Sequence, residues 1–273
     1  MNKIKIICEI GWNHLGDMEL AKQMIKAAKD SGADYAKFQT WSVDRLKSGE
    51  WDTDGRKEIY KNAELSFDDH VNLINYCNKI GIEFLSSVFS IHDANMLLDL
   101  DVKKVKIPSF ESRNEKLCRF CLDNFDEVFI SFGTSTLNEV WRCYSWFSPS
   151  KNNDVTFMHC VSSYPLKPEN ANIKRLNHIK ERVPGINYGY SDHMEGVDSA
   201  KVALEFGVNV IEKHFTIDKN LPGRDNKFAC LPEDIRELRE YINLREKMLL
   251  MNVEDYQLIE EDARQNYTGR FDG

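Results

Sequence analysis

The chain has 273 residues, 42% of them hydrophobic and 29% charged, with a formal net charge of −8. That is enough to bury a sizeable core in one large domain or two ordinary ones. The acidic balance excludes the basic face that nucleic-acid binding needs, so an anionic ligand must be held by a few local cations or backbone amides. No stretch approaches the roughly 18 apolar residues of a membrane span. The first residues, MNKIKIICEIGWNH, show no small-residue cleavage site, so neither membrane association nor a signal peptide is expected. Seven scattered cysteines, an odd number, fit reduced thiols in a cytoplasmic protein. Cys118 and Cys121 form a lone C-x-x-C, and without a second pair a place on a helix is expected rather than zinc or redox chemistry.

Short β-rich runs alternate with helical signals along the chain. The first run, residues 4–9, is followed by a helix in which Ala21, Met24, Ile25 and Ala28 fall at i, i+3, i+4 and i+7 and Gly32 is the stop. The second run, 35–40, leads into a long polar stretch over 41–62, which reads equally well as a surface insertion and as a loop over a binding face. Ser66, with Asp69 three residues on, then opens a helix as a variant capping box, with Val71, Ile74 and Cys77 as its inner stripe and Gly81 at its end. Further runs cover 83–89, 103–109, 127–133, 155–162, 186–192 and 208–214. A helix over 197–206 stops at Gly207, and the last clear helix has Pro232 in its first turn with Ile235, Leu238 and Ile242 on one face.

Eight strands alternating with helices predict an α/β fold of the (β/α)8 TIM-barrel type. One domain is expected over residues 1–250, with a C-terminal tail over 251–273. The runner-up, a doubly wound open sheet, needs a glycine-rich phosphate loop after its first strand, and EIGWNH is not one.

In a barrel the chemistry sits at the C-terminal ends of the strands, and here every strand ends in polar groups. Lys37 and Lys106, with the hydroxyls of Ser109 and Ser131, could hold a phosphate. His193 and His214 end neighbouring strands, each next to a carboxylate (Asp192, Glu212) in the sequence, a relation that suits a transition metal with open positions. Glu9 and Asp225 are carboxylates that could handle protons or sugar hydroxyls. Taken singly, each of these residues fits a surface, capping or salt-bridge role as well. Together they point to metal-assisted chemistry on a phosphorylated substrate without saying which.

The strings CEIGWNHLGD, AKFQT, FLSSVFS, VKIPSFE, ISFGTST, MHCVSSYP, GYSDH, IEKHFT and PGRDNKFA, in this order from Met1 to about Leu250, resemble the catalytic barrel of the sialic acid synthase family, which includes N-acetylneuraminate, legionaminate and pseudaminate synthases. The resemblance implies a transferase that condenses phosphoenolpyruvate with the aldehyde of an open-chain N-acetylated aminosugar, giving a nonulosonic acid and phosphate. It implies a divalent metal, typically Mn2+ with Mg2+ or Co2+ as alternatives, on His193 and His214, with Glu9 as an orienting or proton-handling carboxylate. Phosphoenolpyruvate would meet Lys37, Ser87, Lys106, Ser109, Ser131, Ser162 and Tyr164, and the sugar would meet Gln39, Asn62 and Asp225.

Three local departures reshape the walls while keeping most hydroxyls. Ser87-Val88 stands where members usually read Thr-Pro, Ser131-Phe132-Gly133 where they read Ser-Thr-Gly, and Ser162 where Asn is common. Typical members also continue into an antifreeze-like domain that mediates a homodimer and contributes an arginine to the partner's sugar site. Here the tail over 257–273, with Arg264 and Arg270, reads equally well as a source of that cation, in cis or from a partner, and as a plain terminus. Two alternatives remain at this point. A Kdo-8-phosphate-like synthase would need a second cationic site, and no arginine cluster is evident at the strand ends. A non-catalytic sugar-binding barrel would have no need of Glu9, both lysines and both histidines.

Overall fold

The computed structural model describes residues 3–147, 154–251 and 255–271. Eight parallel strands, β1 (Lys5–Gly11), β2 (Tyr35–Thr40), β3 (Glu83–Val88), β4 (Lys104–Ile107), β5 (Glu127–Phe132), β6 (Asp154–His159), β7 (Asn187–Asp192) and β8 (Val210–His214), close into a barrel in sequence order. Between and after them run the helices α1 (Met18–Asp30), α2 (Arg56–Ala63), α3 (Phe67–Ile80), α4 (Ile91–Asp99), α5 (Glu115–Asn124), α6 (Leu137–Ser145), α7 (Arg175–Arg182), α8 (Asp198–Glu205), α9 (Pro232–Met248) and α10 (Glu261–Asn266). The expected (β/α)8 barrel is therefore the fold. Several strands stop earlier than their apolar runs. Pro108 has no N–H to offer the ladder after β4, and the chain leaves the sheet after His159.

The helices form where their caps and stripes dictate. Asp17 accepts from the backbone N–H groups of Glu19 and Leu20 at 2.9 and 3.0 Å, and α1 buries Ala21, Met24, Ile25 and Ala28. Ser66 and Asp69 make a reciprocal capping box on α3. The inner face of α3 is offset from the expected stripe, with His70, Leu73 and Cys77 buried in place of Val71 and Ile74. The cause is polar: His70 Nε2 is paired with the buried Thr40 hydroxyl at 2.8 Å, which turns the helix toward β2. Cys118 and Cys121 lie buried on α5, and all seven cysteines are free thiols. Among the described residues no helix is long and apolar enough to cross a membrane.

The barrel belongs to a compact unit spanning Met1–Arg239, and Glu240–Gly273 forms a second unit. The boundary between the units falls within α9. In the second unit Arg264 and Arg270 stack on Tyr256 and Tyr267, with guanidinium-to-ring distances of 4.3 and 5.0 Å.

Side chains alternate across each strand, one set pointing into the barrel and the other toward the helices. The inward set makes an apolar floor of Ile7, Tyr35, Leu85, Phe129, Met158 and Val210. Gly189 of β7 leaves room for Met158, since a Cβ there would stand 2.9 Å from its Cγ. The outward set includes His159, whose Nε2 is 3.0 Å from the Ala171 carbonyl and whose ring stacks on Tyr190. Burial holds the His159 imidazole down at about 4, against 6.5 unperturbed.

The unfolded chain therefore binds the His159 proton more readily than the native barrel between those two values. Its contribution to stability is complete above pH 6.5 and is lost as the pH falls toward 4, amounting to about 2 kcal/mol between pH 7.5 and pH 5. Urea unfolding at the two pH values should show His159→Gln losing about that much less than the unmodified chain. Equal losses in both proteins would refute the assignment.

Candidate active site

The register of the barrel brings the polar strand ends together. Glu9 lies beside Lys37 on one side and His214 on the other, Gln39 is level with Ser87, Ser87 with Lys106, and Ser191 with Glu212. These side chains face inward above the apolar floor, at the C-terminal mouth, around a cavity of about 730 Å³.

Two buried ion pairs form its base. Lys37 Nζ stands 2.6 Å from Glu9 Oε2 and donates to Ser87 Oγ at 2.9 Å. Lys106 Nζ stands 2.7 Å from Glu212 Oε2, which is also 3.9 Å from Lys37. Gln39 donates to the other Glu9 oxygen at 2.7 Å, and Ser191 to the other Glu212 oxygen at 2.9 Å. Burial raises the Glu212 carboxyl, but Lys106 and Lys37 outweigh it and hold the group at about 2. Burial also lowers the Lys106 ammonium, and Glu212 offsets part of that effect. Glu212 is therefore a carboxylate near neutral pH, set between the two lysines that hold it so.

One wall is a cradle of hydroxyls. Ser109 and Ser162 are linked Oγ to Oγ at 2.8 Å, and the Cys160 thiol lies against Ser109 and Ser131. Gly133 closes the cradle from behind. A Cβ there would meet Ser162 Oγ at 2.5 Å and Cys160 Sγ at 2.8 Å. The missing side chain keeps a space lined by hydroxyls within reach of Lys106, which matches the needs of a phosphate.

His193 and His214 face each other with ring centroids 5.5 Å apart, and Tyr164 packs on both at 4.2 and 5.7 Å. His193 Nδ1 is 2.6 Å from the Val161 carbonyl, so it carries the proton and leaves the Nε2 lone pair free. Burial, with the neighbouring His214 ring, lowers the His193 imidazole to about 3, which keeps it in the neutral form that ligates metals. His214 Nδ1 is buried without a hydrogen-bond partner, 3.4 Å from Asp225 Oδ2. Among the described residues no group of three or more His, Cys, Asp and Glu side chains is arranged to hold a metal. The pair offers two imidazole nitrogens and leaves the remaining positions to water and substrate, so the donor set fits a divalent ion of open coordination.

The carboxylates beside the histidines differ from those adjacent in sequence. Asp192 and Lys213 point outward, where they pair at 2.9 Å and meet Ser199 of α8. Strand alternation separates them from His193 and His214, and the carboxylate that reaches His214 is Asp225. Asn62 does not join the site. It is exposed on α2 and does not line the cavity, and its backbone carbonyl packs against Gly16. Glu9, Lys37, Gln39, Ser87, Lys106, Ser109, Ser131, Tyr164, His193, His214 and Asp225 all line the cavity, and Ser162 reaches it through Ser109.

The long 41–62 stretch forms part of the mouth. Trp41 and Trp51 make edge contacts with Tyr60, and Trp12 from the first βα loop stacks on Tyr60 at 5.1 Å while donating to Asp225 at 2.7 Å. Residue patterning did not assign this aromatic wall to the site, although the density of Trp and Tyr in a polar stretch was a readable sign of it. The cations Arg56, Arg224 and Lys227 at the mouth were also missed.

This architecture has named relatives. The N,N'-diacetyllegionaminic acid synthase of Legionella pneumophila is 36% identical over 259 residues, covering 89% of this chain and 72% of that protein. The pseudaminic acid synthase of Campylobacter jejuni is 32% identical, covering 90% and 75%. The crystal structure of the N-acetylneuraminic acid synthetase of Leptospira borgpetersenii, in complex with citrate, superposes with a TM-score of 0.87 at 29% identity, over 98% of this chain and 92% of that one. The family profile described as "NeuB family" matches residues 24–254, and on these grounds the chain belongs to the NeuB family.

Proposed function

We propose that this barrel condenses phosphoenolpyruvate with the aldehyde of an N-acetylated aminosugar to give a nonulosonic acid and inorganic phosphate. The observation that carries the reading is the convergence, in one cavity, of a hydroxyl-and-lysine cradle with two buried histidines that face each other. The names of the relatives support the class of product.

In this reading the phosphate of phosphoenolpyruvate lies among Ser109, Ser131 and Ser162, over the space left by Gly133, with Lys106 as its cation. Lys37 and Ser87 meet the carboxylate. The alkene carbon of phosphoenolpyruvate bonds to the aldehyde carbon, the aldehyde oxygen takes a proton, and the former enol carbon is left cationic. Water adds to that carbon and loses a proton, and the carbon–oxygen bond to phosphate then breaks with its electron pair going to phosphate, while the new hydroxyl gives up its proton to the departing phosphate and becomes the ketone. Glu9, oriented by Lys37 and Gln39, is the carboxylate beside the reacting carbons. Its Oε2 stabilises the positive charge and takes the water proton. A divalent ion on His193 and His214, best Mn2+, would supply Lewis-acid polarisation of the aldehyde oxygen. Trp12, Trp41, Trp51 and Tyr60 give the sugar apolar faces and exclude water, and Asp225 accepts from its hydroxyls.

Phosphate release from phosphoenolpyruvate, followed with Mn2+ across a panel of N-acetylated aminosugars, tests the reading. Release should require the sugar, and His214→Ala should lower it by at least about 100-fold, as expected when several kcal/mol of charge stabilisation are lost. An undiminished rate in that variant would remove His214 from the chemistry. Gly133→Ala places a methyl group inside the cradle and should raise the KM for phosphoenolpyruvate by about 10-fold or more, with a smaller change in kcat. An unchanged KM would show that the phosphate lies elsewhere.

A further inference from the structure

The hydroxyl cradle stands at a place where the barrel's own ladder has run out. The last registered pair between β4 and β5 is Ile107 with Ile130, so Ser109 and Ser131 both lie beyond it. The ladder between β5 and β6 stops at Phe132 with His159 and leaves Gly133 outside. Ser131 does not anchor itself, because its buried hydroxyl has no hydrogen-bond partner and stands only where its backbone puts it. Contacts from outside the sheet must therefore set the spacing between Ser109 and Ser131.

Those contacts form one connected set behind the cradle. Ser112, buried, donates its hydroxyl to the Ser109 carbonyl at 2.7 Å and meets the Ser135 hydroxyl at 2.9 Å, which ties the chain after β4 to the chain after β5. Arg175, the first residue of α7, reaches the same segment. Its guanidinium donates to the Phe132 carbonyl at 2.6 Å and to the Ser135 carbonyl. These carbonyls lie on either side of Gly133, so one planar fork fixes the path of the chain from Ser131 to Ser135. His159 steadies the fork: its Nε2 donates to the Ala171 carbonyl at 3.0 Å, which leaves Nδ1 as an acceptor 3.4 Å from Arg175. Among the described residues the guanidinium's partners are these carbonyls and the imidazole, not a carboxylate. Arginine stays charged in proteins, so its positive charge adds to that of Lys106 at the cradle.

We propose that Arg175 is a positioning residue for the phosphate of phosphoenolpyruvate. Through the Phe132 and Ser135 carbonyls it holds the 131–135 segment at the distance from Ser109 and Ser162 at which three hydroxyls meet one phosphate group. The inference rests on the condensation reading above, which lays that phosphate in the cradle. Arg175 does not touch the ligand. It acts through the backbone that carries Ser131 and Gly133, and a cradle loosened by even a fraction of a bond length grips its anion poorly.

Calorimetric titration with phosphoenolpyruvate, and separately with inorganic phosphate, tests this on the intact chain, Arg175→Ala and Arg175→Lys. In Arg175→Ala the Kd for both ligands should rise at least about 10-fold. Arg175→Lys, which keeps the charge and can serve one carbonyl, should fall between that variant and the intact chain. Guanidinium chloride added to Arg175→Ala should recover part of the affinity that sodium chloride at equal ionic strength does not. In turnover with the best acceptor of the aminosugar panel, the loss should fall on the KM for phosphoenolpyruvate and leave that for the sugar within about 2-fold. A variant that merely folded less well would lower the active fraction and leave both KM values in place. A folded Arg175→Ala that binds both ligands as the intact chain does would overturn the proposal. If that variant fails to fold, Arg175→Lys decides: binding weaker by at least about 3-fold supports the proposal, and undiminished binding overturns it. Phosphate held through Arg175 without any binding of phosphoenolpyruvate would count against the condensation reading alone, and binding of neither ligand to the intact chain would overturn both.

Discussion

Two lysine ammonium groups stand inside this barrel, and neither is tolerable there without a carboxylate at bonding distance. The isolated cost of burying such a charge is several kcal/mol, so the geometry of the mouth is the geometry of Lys37 against Glu9 and Lys106 against Glu212. The pairs lock one another, because Glu212 is shared between both lysines. Gln39, Ser87 and Ser191 are then placed by the oxygens and hydrogens the pairs leave over. Removing one partner leaves an uncompensated buried charge, which is why no member of this set can be exchanged alone without moving the others.

That network also explains how much of the site could be read from sequence. Alternating β-rich runs and helical stripes located all eight strands, because parallel barrel strands are short apolar segments with polar C-terminal ends. The end of each strand is where chemistry belongs in this fold, so Glu9, Lys37, Lys106, His193 and His214 were legible. Strand alternation decided what proximity in sequence could not: Asp192 and Lys213 pair on the helix side, while Ser191 and Glu212 look inward. The period of two was available in the sequence, but the phase that says which residues face in is set only when the barrel closes.

The rest was illegible for a physical reason. Trp12, Tyr60, Arg56 and Arg224 lie on loops, where no periodicity reports which way a side chain points. Their assembly depends on contacts between segments far apart in the chain, such as Trp12 with Tyr60 and with Asp225. Asn62 shows the converse. It belongs to the loop that builds the mouth, yet helix α2 turns it to solvent. The α3 stripe slipped because a buried histidine bonded to Thr40 took a position that hydrophobicity alone would give to valine or isoleucine.

The pairing of β1 with β8 sets Glu9 next to His214, and these residues come from the first and the last strand of the barrel. Without β1, the other seven strands would hold the hydroxyl cradle and the Lys106–Glu212 pair, but not the carboxylate beside His214. Joining such distant segments is the slow, entropically costly part of forming a fold of this kind. The polar set of the mouth is therefore completed in one step, at the moment the seam closes. Any fluctuation that lifts β1 from the seam releases Glu9, exposes Lys37 to water and opens the surroundings of His214 together.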